Sequence, residues 1–182
     1  MKKLPSNFEL DKYGLHCRLV KECDAEFITA LRSDEQLGKF LHKSDGDVEK
    51  QRQWIAEYKK REEEGTDYYF IFFKDGVPLG VNRIYNIDWT HLIFVSGSWV
   101  CKKGFPLELP MLTSVITDEI AFNVLGLRIS IFDVRKGNKS VVQFDRMVVG
   151  AIQYGETELD YLFMTTPESR KKSRLRRQLG LD

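Results

Sequence analysis

Cysteine is scarce in this chain and so is histidine. The three cysteines, Cys17, Cys23 and Cys101, have an odd count and no C-x-x-C spacing, and the three histidines do not cluster with them, which argues against a disulfide framework and a structural metal site. No metal is therefore expected, and the cysteines read as free thiols of a reducing compartment. No run of eighteen apolar residues occurs, and the basic start Met-Lys-Lys-Leu-Pro-Ser-Asn-Phe-Glu has no apolar stretch behind it, so neither a membrane span nor an export signal is expected. Net charge is lacking too. With 28 Lys and Arg against 27 Asp and Glu, nothing in the whole-molecule field favours nucleic acid or a membrane surface. Internal repeats, low-complexity segments and linkers are also missing, and these absences leave a soluble, cytoplasmic protein as the expectation.

Aromatic and aliphatic residues are what the chain has in quantity. Its 182 residues are 42% apolar, with twelve Phe, seven Tyr and three Trp, enough for one continuous core and hence one domain over 1–182, ending in a basic tail at 167–182. Apolar and polar residues alternate over 15–20, the period of a strand with one buried face. Residues 24–41 suit one broken helix or two short ones, with Phe27, Ile28, Leu31, Leu37, Phe40 and Leu41 as the apolar set. Trp54, Ile55 and Tyr58 mark a helix over 47–64 that Gly65 ends. Tyr68-Tyr-Phe-Ile-Phe-Phe73, the turn Lys74-Asp-Gly76 and a return arm over 77–88 read as a hairpin. A further strand follows over 92–101.

The period then changes to three and four. Leu112, Val115, Ile116, Ile120 and Val124 predict a long helix over 107–125 closed by Gly126, after which come a strand over 127–133, a helix to about 149, and two strands over 151–154 and 158–165. A strand, a helix and a second strand make a right-handed crossover, so the strands 92–101 and 127–133 are expected to run parallel. The fold class is mixed α/β: about seven strands, mostly antiparallel, with the parallel fourth and fifth splayed apart and helices on the flanks. At the splay, unpaired backbone groups meet a helix N-terminus, an arrangement that suits phosphates and extended amides. Gly97-Ser-Trp-Val-Cys-Lys-Lys-Gly-Phe-Pro106 sits there, with two lysines and a glycine just ahead of the long helix.

This order of elements, together with Asp133-Val-Arg-Lys-Gly-Asn138 and the later Gly150-Ala151, resembles the GNAT superfamily of acetyl-CoA-dependent N-acyltransferases, in particular the branch of ribosomal-protein and amino-sugar N-acetyltransferases. The resemblance spans nearly the whole chain. It implies acetyl-CoA as co-substrate, Trp99, Val100 and Cys101 along the thioester, Lys102, Lys103 and Gly104 at the pyrophosphate, and Asn138 at the pantetheine. Two features depart from the family pattern. The pyrophosphate loop, Cys101-Lys-Lys-Gly104-Phe-Pro106, keeps one glycine and loses its first polar residue and its last small one. The helix position where many members place a proton-donating Tyr holds Asp145, and the run from there to Gly150 is one residue longer than usual. An ionised carboxylate cannot be an acid unless burial raises its pKa.

Other candidates carry two readings each. Asp88 and His91 suit a general base with its orienting partner, or an ordinary turn. Asp133 is a base near the cleft, or one half of an ion pair with Arg135 or Arg128. Arg83 and Tyr85 share one strand face and either line an acceptor pocket or belong to a half-exposed sheet surface. Cys101 beside two lysines is a nucleophile or, as preferred here, a passive thiol. The tail Arg170-Lys-Lys-Ser-Arg-Leu-Arg-Arg-Gln178 is a solvated helical end, or a contact for an acidic partner or RNA. Three functions follow: acetylation of a small amine, led by an amino sugar on a nucleotide; acetylation of a protein N-terminus or lysine; and a non-catalytic GNAT-like module. The partner expected is a small-molecule amine, and a homodimer is a further possibility.

Overall fold

The computed structural model describes residues 2–34, 37 and 46–181. Eight strands form one sheet: β1 (Glu9–Lys12), β2 (Leu15–Leu19), β3 (Tyr68–Lys74), β4 (Val77–Asp88), β5 (Ile93–Cys101), β6 (Ile129–Arg135), β7 (Ile152–Glu156) and β8 (Asp160–Thr165). Their order is β1-β2-β3-β4-β5-β6-β8-β7, and only β5 and β6 are parallel neighbours. The expected class is thus observed, with eight strands in place of seven. The additional one is β1, joined to β2 by a two-residue turn in which Tyr13 (φ 52°) and Gly14 (φ 72°) are left-handed. As an edge strand with one apolar residue, Leu10, it lacks the alternation that reveals a buried strand.

Helices α1 (Ala25–Ser33) and α2 (Val48–Glu64) cover one face. Asp47 caps α2, its Oδ1 accepting from Glu49 and Lys50 N–H at 2.9 and 3.1 Å, and Gly65 ends it at φ 79°. The expected apolar positions Phe40 and Leu41 lie outside the described residues. On the other face, α3 (Glu108–Glu119) runs into a π-helical turn (Ile120–Val124), and α4 (Lys139–Phe144) into another (Asp145–Val149). A π turn accommodates one extra residue within a helix. The second of these turns starts at Asp145 and is capped by Gly150, which has φ 75°.

Two cores follow from the alternation of β3. Tyr68, Phe70 and Phe72 pack toward α3 with Ile116 and Ile120, whereas Tyr69 and Ile71 pack toward α1 and α2 with Ile28, Ile55 and Tyr58. The basic tail forms α5 (Pro167–Lys171) and α6 (Arg174–Gln178), and it is not a solvated end. Leu175 is fully buried, Arg170 pairs with Asp118, and Arg176 Nη1 reaches Glu119 Oε1 at 2.8 Å. The α3 carboxylates therefore neutralise charge that the linear sequence presents as unopposed. Among the described residues, no helix is long and apolar enough to cross a membrane.

Candidate active site

Strands β5 and β6 pair only at Ile93↔Ile129, Phe94↔Ser130 and Val95↔Ile131. Beyond those pairs β5 stays with β4 as far as Cys101, and β6 stays with β8 as far as Arg135, so their facing edges separate. The resulting cleft has a volume of about 830 Å³, within the range of small-molecule sites. A bulge on β5 shapes it. Between the pairs Arg83↔Gly97 and Val81↔Val100, Ser98 and Trp99 stand opposite Asn82 alone, with Ser98 at φ 53°. One inserted residue reverses the alternation: Phe94 packs in the α3 core, while Val100, of the same parity, packs in the α1 and α2 core.

That reversal turns Trp99 and Cys101 toward α3 and α4. Trp99 Nε1 donates to Thr113 Oγ1 at 3.0 Å, and its ring stacks on Phe144 with centroids 6.1 Å apart, so the indole bridges the two arms of the wedge. Thr113 in turn donates to Pro110 O at 2.7 Å. Cys101 Sγ lies 3.8 Å from Thr113 Oγ1, and burial pushes its thiol up to about 11. It is a passive thiol at neutral pH. On the opposite face the cleft is bordered by Arg32, Leu37 and Tyr85, and Gly97 makes room for that tyrosine, since a Cβ there would lie 3.1 Å from its ring. The cleft is thus lined by residues from both faces of the sheet.

At the end of β5 the loop Lys102, Lys103, Gly104 lines the cleft and leads into α3. Gly104 has φ 95°, and a Cβ there would meet nothing within 4 Å; the glycine is needed for its backbone angle and not for space. Pro106 and Pro110 lack N–H donors, and Leu109 N–H is used by Pro106 O at 3.0 Å. Two exposed lysines, together with the positive end of a 12-residue helix, are the loop's resources toward an anion.

Of the residues singled out in the sequence, Trp99, Val100, Cys101, Lys102, Lys103, Gly104, Asn138, Asp133, Asp145 and Tyr85 all border this one cleft. Asn138 precedes α4 without using its side chain to cap it; its Oδ1 accepts from Ser140 Oγ at 3.3 Å. Asp133 is exposed on β6, and Tyr85 is held above its usual pKa by burial, with Arg83 opposing and Asp133 adding to the shift. Two candidates are elsewhere. Asp88 pairs with Ile93 at the closed end of the parallel pair, where its carboxylate accepts from Thr90 and His91 N–H and meets His91 Nδ1 at 2.6 Å, the local bonding of a turn. Arg83 is committed to the buried Asp67, with Nε 2.8 Å from Oδ1, and it lies between the rings of Trp54 and Tyr85.

Sequence reading misses Asp118, Arg170, Thr113 and Phe144. Thr113 sits on a helix face read only for its apolar residues, and Arg170 is concealed in the basic tail. Along α4 and its two ends, Asn138 at the N-cap, Val141 within the helix and Asp145 on the π turn fall at helical spacing on the side facing the cleft. Asp145 is 7% exposed. Burial pushes its carboxyl up to about 7, Arg170 pulls it down, and the Asp118 charge adds to the rise.

No protein-family model and no curated protein matches the sequence, but solved structures do. Apo FdhC, a nucleotide-linked sugar GNAT, is 32% identical, covers 97% of this chain and 99% of its own, and superposes with a TM-score of 0.84. The ribosomal-protein-S5-alanine acetyltransferase from Vibrio fischeri shares the fold at 14% identity and TM-score 0.73, over 90% of this chain and 99% of that one. So does the spermidine N-acetyltransferase from Vibrio cholerae, in complex with CoA and spermine, at 12% identity and TM-score 0.72, over 88% of this chain and 100% of that one. The chain belongs to the GNAT superfamily of N-acetyltransferases.

Proposed function

We propose that this enzyme transfers an acetyl group from acetyl-CoA to the primary amine of a nucleotide-linked amino sugar, directly, with both substrates bound. A cleft lined from both faces of the sheet carries the reading: the thioester enters on the α3 and α4 side and the amine on the α1 and α2 side. Support for the acceptor comes from the 32% identity to a nucleotide-linked sugar GNAT over nearly the whole chain, and from Arg32 and Tyr85 lining the same cleft, a cation and a ring suited to a diphosphate and a sugar.

Acetyl-CoA supplies an activated acyl group on a leaving thiolate. The β5 backbone beyond Val95 holds the extended amide of the pantetheine arm, Asn138 orders its far end, and Lys102, Lys103 and the start of α3 attract the phosphates. Asp133 accepts the proton that the ammonium must lose, and Asp145 holds the proton that the thiolate takes up.

The test is thiol release from acetyl-CoA in the presence of a nucleotide-linked amino sugar, spermidine or a peptide with an N-terminal alanine. The sugar nucleotide is expected to be the best acceptor by at least about a hundredfold. Equal rates with the peptide would favour protein acetylation, and no release with any of the three, alongside no binding at millimolar acetyl-CoA, would favour a non-catalytic module. Asn138→Ala is expected to reduce kcat/KM about tenfold or more while changing stability by under about 1 kcal/mol, because no cap is lost. Unchanged turnover in that variant would remove Asn138 from the site.

A further inference from the structure

The wall of the cleft behind Trp99 holds an unequal set of charges. Asp118 on α3, its side chain 14% exposed, is ion-paired with Arg170 of α5, which is itself buried and also donates to Ser114 Oγ at 3.2 Å. Asp145, on the π turn after α4, borders the same cavity as both. These are the charged groups that act on Asp145 from the elements packed around it: Asp118 from α3 and Arg170 from α5. Behind Asp118, Glu119 and Arg176 act on it in opposite senses and pair with each other. Two acids thus border one cavity with one guanidinium, and the ion pair engages that guanidinium with Asp118.

We propose that Asp118, by occupying Arg170, is the positioning residue that keeps a proton on Asp145, so that the two carboxylates and the arginine form a unit retaining one proton in the thiolate side of the cleft. This deepens the reading in which Asp145 is the acid and rests on it. The physical reason is charge balance. Were Arg170 free, it would turn to Asp145 and favour the ionised form, and the acid would be lost at neutral pH. With Asp118 engaged, ionisation of Asp145 would place a second negative charge, itself largely buried, beside a pair already neutral. Burial raises both carboxyls above the ordinary range, Arg170 opposing the shift in each case. The tail, which the sequence presents as a charge without a purpose, is in this account part of the catalytic wall.

The experiment is a carboxyl-carbon NMR titration of the full chain labelled at aspartate, between pH 4 and 9, with no acceptor required. Asp145→Asn identifies the Asp145 resonance. In the parent that resonance is expected to titrate near pH 7, and in Asp118→Asn its midpoint should fall by about one unit or more as Arg170 turns to it. An unchanged midpoint in Asp118→Asn overturns the proposal. Should that variant not fold, the parent alone decides: a coupled unit gives Asp118 and Asp145 curves that each show an inflection at the other's midpoint, and two independent single-step curves overturn it. The pH profile of acetyl transfer separates this from the underlying reading. If Asp145→Asn keeps the fall in rate at high pH, Asp145 is not the acid, whatever the NMR shows. If that fall disappears while Asp118→Asn leaves the NMR midpoint unmoved, only the role of Asp118 is lost.

Discussion

Asp145→Asn is expected to make the protein more stable and the enzyme about a hundredfold slower or worse at neutral pH. An unfolded aspartate titrates near 3.9, whereas burial holds the native Asp145 carboxyl at about 7. Between those values the native chain keeps a proton that the unfolded chain releases. Stability therefore declines as pH rises from about 4 to about 7, by roughly 1.4 kcal/mol per unit, and the loss, about 4 kcal/mol, is fully present above pH 7. Asparagine keeps the shape and removes the titration. Urea unfolding should show parent and variant nearly alike at pH 4, with the variant more stable by several kcal/mol at pH 8. A difference independent of pH would mean that the carboxyl is not held protonated. The combination of greater stability and lower rate is the mark of a group strained for function.

Arg170→Ala should have the opposite effect on stability. Asp118 and Asp145 would be left in a buried wall without their cation, and removal of one partner from a buried pair typically costs about 3–5 kcal/mol. The loss should be large at pH 8 and smaller at pH 5, where Asp145 is protonated in both proteins. It should also loosen α5 and α6, whose attachment to α3 runs through Arg170–Asp118 and Arg176–Glu119. Unfolding midpoints that match the parent at both pH values would show the tail to be unimportant to the wall. For the same reason, deletion of the tail does not test whether it recruits an acidic partner: such a truncation removes part of the core, Leu175 included.

Much of the architecture was legible because it follows from period. Alternation at 15–20, an aromatic and β-branched run at 68–73 ahead of a Lys-Asp-Gly turn, three- and four-residue spacing at 107–125, and glycines at 65, 126 and 150 place elements by local physics alone. The wedge itself was inferred from a crossover meeting a meander, and the three-pair contact between β5 and β6 agrees with it. What sequence could not give depends on the third dimension. The bulge at Ser98 and Trp99 has only the neighbouring Gly97 as a local signal, and the residue that takes the positive φ, Ser98, carries a Cβ. Arg83 reads as a pocket residue until Asp67, sixteen positions away, is seen to hold it. Asp145 reads as ionised until burial is seen to raise its carboxyl, with Arg170 opposing and Asp118 adding to the rise, because the pKa of a carboxyl is a property of its surroundings.

Hydrogen exchange along β5 tests the cofactor wedge most directly. With saturating acetyl-CoA, the amides from Ser96 to Lys102 should exchange about tenfold or more slowly than in the free protein, while those of the edge strand β1 keep their rates. If millimolar acetyl-CoA leaves the β5 amides unchanged, the slot between β5 and β6 does not receive the thioester.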